Sequence, residues 1–260
     1  MRLIDWDALP DDMKNDKVRI YYDILQKKKR TLIIKRAFDI CASLFLLIVL
    51  SPVLLVAAIA IKMESSGPVM YRQVRKTQYE RDFSIHKLRS MYQNSDSEHL
   101  LTMKNDSRVT KVGAILRKTK IDEFGQLIDV LKGDMTFVGV RPQVQKYVDC
   151  YTDEMRATFL LPAGITSLAS IYYRNENDLL ESAEDMDELY LAEILPDKMN
   201  YNLLGIKKLS LRYDLKIILM TVLCVLGKDY KPAKQVYSEV FADNNINARK
   251  EKNSGGGADE

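Results

Sequence analysis

The strongest constraint on this chain is an apolar run near its N-terminus, over residues 37–61. From residue 40 to residue 61 there are 22 residues without a formal charge. A straight α-helix of that length rises about 33 Å, which matches the hydrocarbon thickness of a bilayer. The run begins too far from Met1 to be a cleavable signal peptide and lacks a small-residue cleavage site. The sequence therefore predicts a membrane-attached protein.

Two topologies are open for this run. Pro52, preceded by Ser51, lies near its centre, where a proline removes a backbone hydrogen bond and promotes a bend. Basic residues flank both ends, with Lys35 and Arg36 before the run and Lys62 after it. The positive-inside tendency favours a re-entrant helix that returns to its starting face, because both basic flanks then stay in the cytoplasm. Proline is also common in spanning helices, so a plain single-pass anchor stays open.

Composition indicates an ordinary folded protein beyond this segment. The 260 residues are 47% hydrophobic and 29% charged, enough for one sizeable domain with appendages. The other strongly apolar segment, residues 215–226, contains Lys216 and is too short to span, which excludes a multi-pass membrane protein. Three cysteines without paired spacing fit a reducing compartment. Neither His86 nor His99 has metal-ligand spacing, so a zinc site is not expected and both are predicted at the surface.

A basic cluster precedes the apolar run. Six lysines and arginines lie within residues 27–36 and are expected to attract anionic headgroups, at roughly 1 kcal/mol for each basic residue. The net charge is only +3, and the basic residues away from this cluster are dispersed. Neither a zinc-finger pattern nor an RNA-binding aromatic signature is present, so nucleic acid is not an expected partner.

Short elements are predicted on either side of the run. Residues 1–30 predict an amphipathic helix in an interfacial or regulatory extension. Its apolar residues are Val18, Ile20, Tyr21, Ile24 and Leu25. After a turn at residues 65–68, alternation predicts strands at residues 69–71 and 83–85. A basic stripe accompanies these strands: Arg72, Arg75, Lys76, Arg81, Lys87 and Arg89.

The segment from Thr119 to Gly133 predicts a helix with acidic residues at its start. Thr119 is the predicted N-cap and Gly133 the predicted stop. Asp122 and Glu123 then lie in the first turn, where unpaired N–H groups and the helix dipole stabilise anions. Two interpretations are open: an anion site, or a capping box in which Asp122 only completes the cap. The apolar face has i, i+3, i+4, i+7 spacing: Phe124, Leu127, Ile128 and Leu131.

The remaining elements are weaker signals. Residues 135–140 predict a strand that delivers Arg141 at its end, where it can face a ligand or form a surface ion pair. Residues 162–166 predict a turn, 178–192 an acidic helix, 216–226 an apolar helix in the core or in the bilayer interface, and residues from 244 a disordered end. The chain has no Gly-x-Gly-x-x-Gly and no Gly-x-x-x-x-Gly-Lys motif. If the protein binds nucleotide phosphates, they must be held by arginines, lysines, a helix N-terminus and a metal.

Ten short motifs also occur in order over about residues 35–228. They are Lys35-Arg36-x-Phe38-Asp39, Ser51-Pro52, Tyr71-Arg72-Gln73, Lys87-Leu88-Arg89-Ser90-Met91, Asp106-Ser107-Arg108, Leu116-Arg117-Lys118-Thr119, Asp122-Glu123, Gln126-Leu127, Leu131-Lys132-Gly133-Asp134-Met135 and Val138-Gly139-Val140-Arg141-Pro142. In this order they resemble the bacterial sugar transferases, also called monotopic phosphoglycosyl transferases. Gly125 and Val140 stand where that family usually has proline, and these departures concern the sugar more than the reaction.

The resemblance implies an architecture as well as a family. It is a mixed, helix-rich α/β fold in which a re-entrant membrane helical hairpin is attached to a small cytosolic catalytic domain with amphipathic interfacial helices. The implied divisions are an amphipathic extension (1–34), the re-entrant helix bent at Ser51-Pro52 (35–63), the phosphoglycosyl transferase domain (64–230) and a tail whose last part is disordered (231–260). The protein is then expected at the bacterial inner membrane, with its catalytic domain facing the cytoplasm.

The resemblance also implies a reaction. Asp122 would attack the sugar-linked phosphate of a UDP-sugar, expel UMP and hold the phosphosugar until polyprenyl (undecaprenyl) phosphate displaces it, which starts a capsule, exopolysaccharide or glycoprotein glycan. Glu123 and Asp122 would bind Mg²⁺. Residues expected to hold phosphate or nucleotide groups are Lys87, Arg117, Arg141 and Arg174. Expected partners are the two substrates and membrane phospholipids, with a homo-oligomer left open. The rival hypothesis is a membrane-tethered scaffold or receptor whose acidic pair is only a helix cap.

Overall fold

The computed structural model describes residues 1–93, 106–180 and 185–230. The predicted tail (231–260), His99 and residues 181–184 of the predicted acidic helix lie outside the described residues. The described chain is helix-rich with two small sheets, so the mixed α/β class is confirmed. Its elements are α1 (Asp16–Lys27), α2 (Lys29–Glu64), β1 (Met70–Lys76), β2 (Asp82–Leu88), α3 (Lys111–Thr119), the 3₁₀ turn Ile121–Gly125, α4 (Gln126–Lys132), β3 (Met135–Val138), α5 (Gln145–Val148), the 3₁₀ turn Met155–Leu160, β4 (Ala163–Thr166), α6 (Leu168–Tyr172), α7 (Glu176–Leu180), α8 (Met186–Leu189), the π-helical turn Tyr190–Ile194, α9 (Leu195–Lys207) and α10 (Leu211–Val225).

The two strand pairs differ in direction. β1 and β2 form an antiparallel hairpin with Lys76 opposite Asp82, and β3 and β4 pair in parallel with Val138 opposite Thr166. The strands predicted at residues 69–71, 83–85 and 135–140 are therefore confirmed.

The turn predicted at residues 162–166 is wrong, because this segment is β4. Its glycine permits a close backbone approach instead of a turn. A Cβ atom on Gly164 would lie 2.2 Å from the backbone nitrogen and oxygen of Gly139, a distance that no side chain tolerates. Gly164 donates its N–H to the carbonyl of Val140 at 2.8 Å. This contact holds the end of β3, and with it Arg141, against β4.

The N-terminal helix α1 packs into the main hydrophobic core. Val18 and Leu25 are fully buried and pack with Leu160 and Met199. The hydroxyl of Tyr21 is within hydrogen-bond distance of the Glu154 carboxylate, at 2.5 Å. The predicted amphipathic helix is confirmed, and its apolar face is occupied by the protein's own core.

The apolar run forms a single long helix, α2, with Pro52 in its interior. Among the described residues it is the one helix long and apolar enough to cross a membrane, with a mean hydropathy of 3.0 over its most apolar window. Its outer surface consists of exposed large apolar side chains: Ile33, Phe38, Leu44, Phe45, Ile48, Val49, Val53, Leu55, Val56, Ile59 and Met63. Such a surface is compatible with lipid contact and unusual for water contact.

The first part of α2 is anchored to the domain by the basic residues that precede the apolar run. Lys35 is 2% exposed and forms an ion pair with Asp214 of α10 at 2.6 Å. Arg36 donates to the last carbonyls of α4, at Val130 (2.6 Å) and Leu131 (2.9 Å). The expectation that these two cations lie among lipid headgroups is wrong, because buried acceptors of the protein use their charge.

The second part of α2 also contacts the domain. Ala57 and Ile61 are buried against Leu88 of β2 and Leu116 of α3. Glu64, the last residue of α2, accepts hydrogen bonds from the first two N–H groups of α3, at 2.8 and 2.9 Å. A carboxylate there caps the helix and complements its dipole. The end of α2 thus sets the position of α3, the helix that leads to Asp122.

Helix α10 has two different faces. Asp214, Ile217 and Cys224 are buried against the domain. On the opposite side Leu215 and Leu219 are 64% and 58% exposed, and Leu211, Val222 and Leu226 extend the same stripe. The sequence left a core helix and an interfacial helix open for this segment. One face of α10 belongs to the core, and the other is an exposed apolar stripe of the kind expected for an interfacial helix.

Candidate active site

The acidic pair lies in the 3₁₀ turn Ile121–Gly125, between α3 and α4. The predicted N-cap is wrong: Thr119 is the last residue of α3, and its hydroxyl donates back to the carbonyls of Ile115 and Leu116. Lys120 adopts a left-handed conformation (φ 59°) and ends α3. The predicted stop at Gly133 is confirmed, with φ 96°.

The capping-box interpretation is also wrong, because in the described part of the chain no side chain caps α4, and the hydroxyl of Thr119 bonds to Ile115 and Leu116 instead of to Asp122. Asp122 is only 7% exposed, and its Oδ1 has no hydrogen-bond partner within the described residues. A buried acceptor without a partner costs free energy, and such costs concentrate at functional sites. Burial and the adjacent charge of Glu123 raise the pKa of Asp122 above its ordinary value.

Glu123 has the opposite environment. Its Oε1 lies 3.0 Å from Nη2 of Arg141 and 4.0 Å from Nζ of Lys87. Burial acts to raise the pKa of Glu123, but Arg141 and Lys87 outweigh it and hold that pKa well below the ordinary range. The pKa values of the two neighbouring carboxylates are therefore shifted in opposite directions, which is a common feature of catalytic acid pairs.

Lys87 reaches the pair from β2. Burial, and next the charge of Arg141, lower the pKa of Lys87 to about 8. His86, the residue before Lys87, holds the strand in place. Its ring Nδ1 lies 2.6 Å from the carboxylate of Asp129 in α4, and its backbone N–H donates to the same carboxylate at 2.9 Å. His86 is 6% exposed, so its predicted surface position is wrong. A Cβ on Gly125 would lie 2.7 Å from the carbonyl oxygen of His86, and this close contact sets the acidic turn against β2.

The predicted arginines occupy different places. Arg141 follows β3 and ion-pairs with Glu123, and Arg117 on α3 acts electrostatically on Asp122. Arg174 forms its ion pair elsewhere, with Asp229 after α10, and the distance between its Nη1 and that carboxylate is 3.4 Å. The sequence placed Arg75 of β1 only in the basic stripe and gave it no role at the site, but its Nη1 lies 3.5 Å from the carbonyl of Pro142, and burial and then the charge of Arg141 lower its pKa. In the sequence, Arg75 follows Tyr71 and Gln73 at the two-residue spacing of one strand face, and this spacing was the signal that could have pointed to it.

The donor set at the pair suits one kind of metal. The described residues contain no group of three or more His, Cys, Asp or Glu able to hold an ion. Mg²⁺ does not need one, because it usually binds one or two carboxylates, several waters and substrate phosphates. Asp122 with its unpartnered Oδ1 and the ionised Glu123 fit that requirement.

An acidic pair among lysines and arginines, next to the end of a membrane-type helix, is the arrangement expected of a membrane-attached protein that handles phosphate esters. The chain matches the bacterial sugar transferase family over residues 30–228 and belongs to that family.

Curated relatives carry names from one reaction class. The chain is 39% identical over 196 residues to the UDP-glucose:undecaprenyl-phosphate glucose-1-phosphate transferase of Klebsiella pneumoniae, covering 74% of this chain and 40% of that protein. It is 36% identical to the UDP-N-acetylgalactosamine-undecaprenyl-phosphate N-acetylgalactosaminephosphotransferase of Aeromonas hydrophila (74% and 44% covered). It is 39% identical to the UDP-glucose:undecaprenyl-phosphate glucose-1-phosphate transferase of Caulobacter vibrioides (75% and 70% covered). The chain thus spans less than half the length of the first two relatives.

Proposed function

We propose that this protein transfers a sugar 1-phosphate from a UDP-sugar to undecaprenyl phosphate, releases UMP and so begins glycan assembly at the cytoplasmic face of the inner membrane. One observation carries the proposal. Arg141, about two-fifths exposed, and Lys87 lie beside two adjacent carboxylates, Asp122 and Glu123, whose pKa values are shifted in opposite directions. Family membership and the names of the relatives support the same reaction class.

The proposed mechanism has two displacements at phosphorus. Oδ of the Asp122 carboxylate attacks the sugar-linked phosphorus of the UDP-sugar, and the bond from that phosphorus to the bridging oxygen breaks so that UMP leaves. A phosphate oxygen of the lipid then attacks the same phosphorus, and the aspartyl–phosphorus bond breaks to restore Asp122. The carboxylate is ready when it has lost its proton, and Lys87 and Arg117 favour that ionised form.

Basic side chains make this attack between like charges feasible. Arg141 offers a planar guanidinium, two-fifths exposed, for bidentate phosphate contact. Its ion pair with Glu123 orients it before substrate arrives. Asp122 and Glu123 are the residues that would hold Mg²⁺, and the ion would neutralise charge on the phosphate oxygens.

We also propose that α2 is a re-entrant hairpin with both ends at the cytoplasmic face. Arg36 and Ile61 are 25 residues apart, about 37 Å along a straight helix. Both parts of α2 contact the same domain, since Arg36 donates to the carbonyl of Val130 and Ile61 packs in the cluster that also holds Leu116. Contacts of both helix ends with one domain support a hairpin whose ends lie on the same side of the membrane. Pro52 in the interior of α2 removes one backbone hydrogen bond of the helix, and Ser51 donates to the carbonyl of Ile48 (2.8 Å); both features favour a bend at this position.

Cysteine accessibility tests this topology. Exposed positions before and after the apolar run, Lys29 and Met63, are each replaced by cysteine in a background without native cysteines. We expect a membrane-impermeant maleimide to label both in inside-out vesicles and neither in right-side-out vesicles, with a cysteine at Ile48 as the lipid-protected control. Labelling of the two positions from opposite sides would establish a single-pass anchor.

The reaction itself is tested by UMP release. Purified full-length protein in nanodiscs is mixed with undecaprenyl phosphate, Mg²⁺ and each of UDP-glucose, UDP-galactose, UDP-N-acetylglucosamine and UDP-N-acetylgalactosamine. We expect UMP with at least one sugar, dependent on the lipid and abolished by EDTA. A tethered scaffold or receptor releases no UMP with any sugar, and the sugar that works identifies the substrate.

The charge of Lys87 should make KM for the UDP-sugar depend on pH in the alkaline range. Its pKa is lowered to about 8, so the ammonium group is charged below that pH and loses its charge above it. Because the charged form attracts the diphosphate, we expect KM for the UDP-sugar to rise as pH increases through about 8. Lys87→Arg should flatten that rise, while Lys62→Arg on the exposed side of α2 should leave it unchanged. An identical rise in Lys87→Arg would assign the effect to another group.

A further inference from the structure

Two cations at this site contact the Glu123 carboxylate, and a third, Arg75, is close enough to act on them electrostatically. Lys87 and Arg141 both lie within 4.0 Å of Glu123, at 4.0 and 3.0 Å. Arg75 acts electrostatically on Lys87 and on Arg141 as a like charge. Within the described residues Arg75 forms no ion pair of its own. Its positive charge is therefore left without a carboxylate partner.

The guanidinium of Arg75 is nevertheless held in place. Gln73, two residues earlier on β1, accepts from Nε at 3.2 Å and from Nη2 at 2.7 Å through a single side-chain oxygen. On the other side Nη1 lies 3.5 Å from the carbonyl of Pro142, the residue after Arg141. Both acceptors are neutral, so they orient the group without cancelling its charge.

Holding Arg75 beside Arg141 is unfavourable in the free protein. Burial, and next the charge of Arg141, lower the pKa of Arg75 below its ordinary value. The like charges of the two guanidinium groups repel each other, and an anion bound by both would offset that repulsion. The planar fork of each guanidinium matches the oxygens of a phosphate or diphosphate.

We propose that Arg75 is a second phosphate-binding guanidinium, which holds a phosphoryl anion together with Arg141, and that Gln73 is its positioning residue. The inference rests on the proposed function, since the anion is either the diphosphate of the nucleotide sugar or the phosphate of the lipid carrier. Both present the same phosphoryl oxygens, and the test separates them.

The first test compares Arg75→Gln with Arg72→Gln. Arg72 lies on the same strand, three positions earlier and therefore on the opposite face, and it is exposed. Binding of UDP with Mg²⁺ and of a short-chain polyprenyl phosphate is measured by calorimetry on full-length protein in nanodiscs. We expect about a ten- to hundredfold weaker Kd for one or both ligands in Arg75→Gln, as expected for losing a charge-assisted hydrogen bond, and no change in Arg72→Gln.

Thermal stability separates ligand binding from a structural role. Without ligand, Arg75→Gln should unfold at the same or a higher temperature than the natural chain, because a like-charge repulsion is removed. Gln73→Glu gives Arg75 an internal counter-ion, so it should raise the unfolding temperature and at the same time weaken ligand binding. Arg75→Lys keeps the charge without the fork and should recover part of the affinity.

The outcomes assign the site. Loss of UDP affinity alone identifies the nucleotide diphosphate, and loss of lipid-phosphate affinity alone identifies the carrier; either supports the proposal. Equal affinities for both ligands in Arg75→Gln and Arg72→Gln would overturn it, as would a lower unfolding temperature of Arg75→Gln with unchanged binding. Because binding is measured without turnover, failure of the natural chain to release UMP would refute the proposed function separately.

Discussion

Asp122→Asn should eliminate both UMP release and covalent labelling of the protein. The amide has the size of the carboxylate but cannot attack phosphorus, so we expect turnover to fall by at least about 10³-fold. Incubation with a UDP-sugar carrying ³²P in the sugar-linked phosphate should label the natural chain, and the label should be absent from the variant. Asp82→Asn is the matched control, because that carboxylate is exposed at the far end of the β1–β2 hairpin.

The same substitution should not weaken the fold. Because the folded-state pKa of Asp122 is raised, the folded protein holds that proton more tightly than the unfolded chain, and ionisation costs stability as pH increases. Asp122→Asn should therefore unfold at an equal or higher temperature than the natural chain at neutral pH, and the difference should disappear in acid. Retention of the ³²P label in a folded Asp122→Asn protein would rule out Asp122 as the nucleophile.

Lys35→Met should cause the largest loss of stability among single substitutions in α2. The ammonium group of Lys35 is buried between Asp214 (2.6 Å) and the carbonyl of Val138 (2.9 Å). Removing one partner of a buried ion pair leaves an uncompensated charge, which costs about 3–5 kcal/mol of folding free energy. Thermal unfolding in detergent should show this loss, whereas Lys62→Met, exposed at the other end of the helix, should be nearly neutral.

The pH dependence of that loss provides its own check. Burial already raises the pKa of Asp214, and removal of Lys35 raises it further. The stability deficit of Lys35→Met should therefore be large at neutral pH and shrink as the pH falls towards the folded-state pKa of Asp214. The double variant Lys35→Met/Asp214→Leu should regain most of the lost stability. A deficit that persists in the double variant would show that packing, not the ion pair, holds α2 to α10.

Local patterns predicted several elements correctly because local interactions dominate them. Alternation gave β1 and β2, and the left-handed preference of glycine ended α4 at Gly133. The acidic helix start was mistaken, since Lys120 adopts a left-handed conformation that divides the predicted helix into α3, a 3₁₀ turn and α4. That conformation is unfavourable for lysine in isolation and is sustained by packing of the turn against β2.

Long-range partners explain the remaining errors. Three residues were predicted at the surface or among headgroups and instead bind acceptors within the protein. Lys35 contacts Asp214, Arg36 contacts the end of α4, and His86 contacts Asp129. The acceptors lie 43 to 179 positions away in sequence, beyond the reach of any local pattern.

By itself the sequence determined that the chain has one segment long and apolar enough to enter a membrane, that it has a mixed helix-rich domain, and that Asp122, Glu123 and Arg141 belong to one series of motifs. Uncharged length, residue periodicity and motif order carry that information locally. Only the tertiary structure decided that Arg141 and Lys87 meet at Glu123, that Arg174 lies beside Asp229, and that Arg75 joins the cations at the site. Charges interact across space according to distance and burial, and both are set by how distant elements pack.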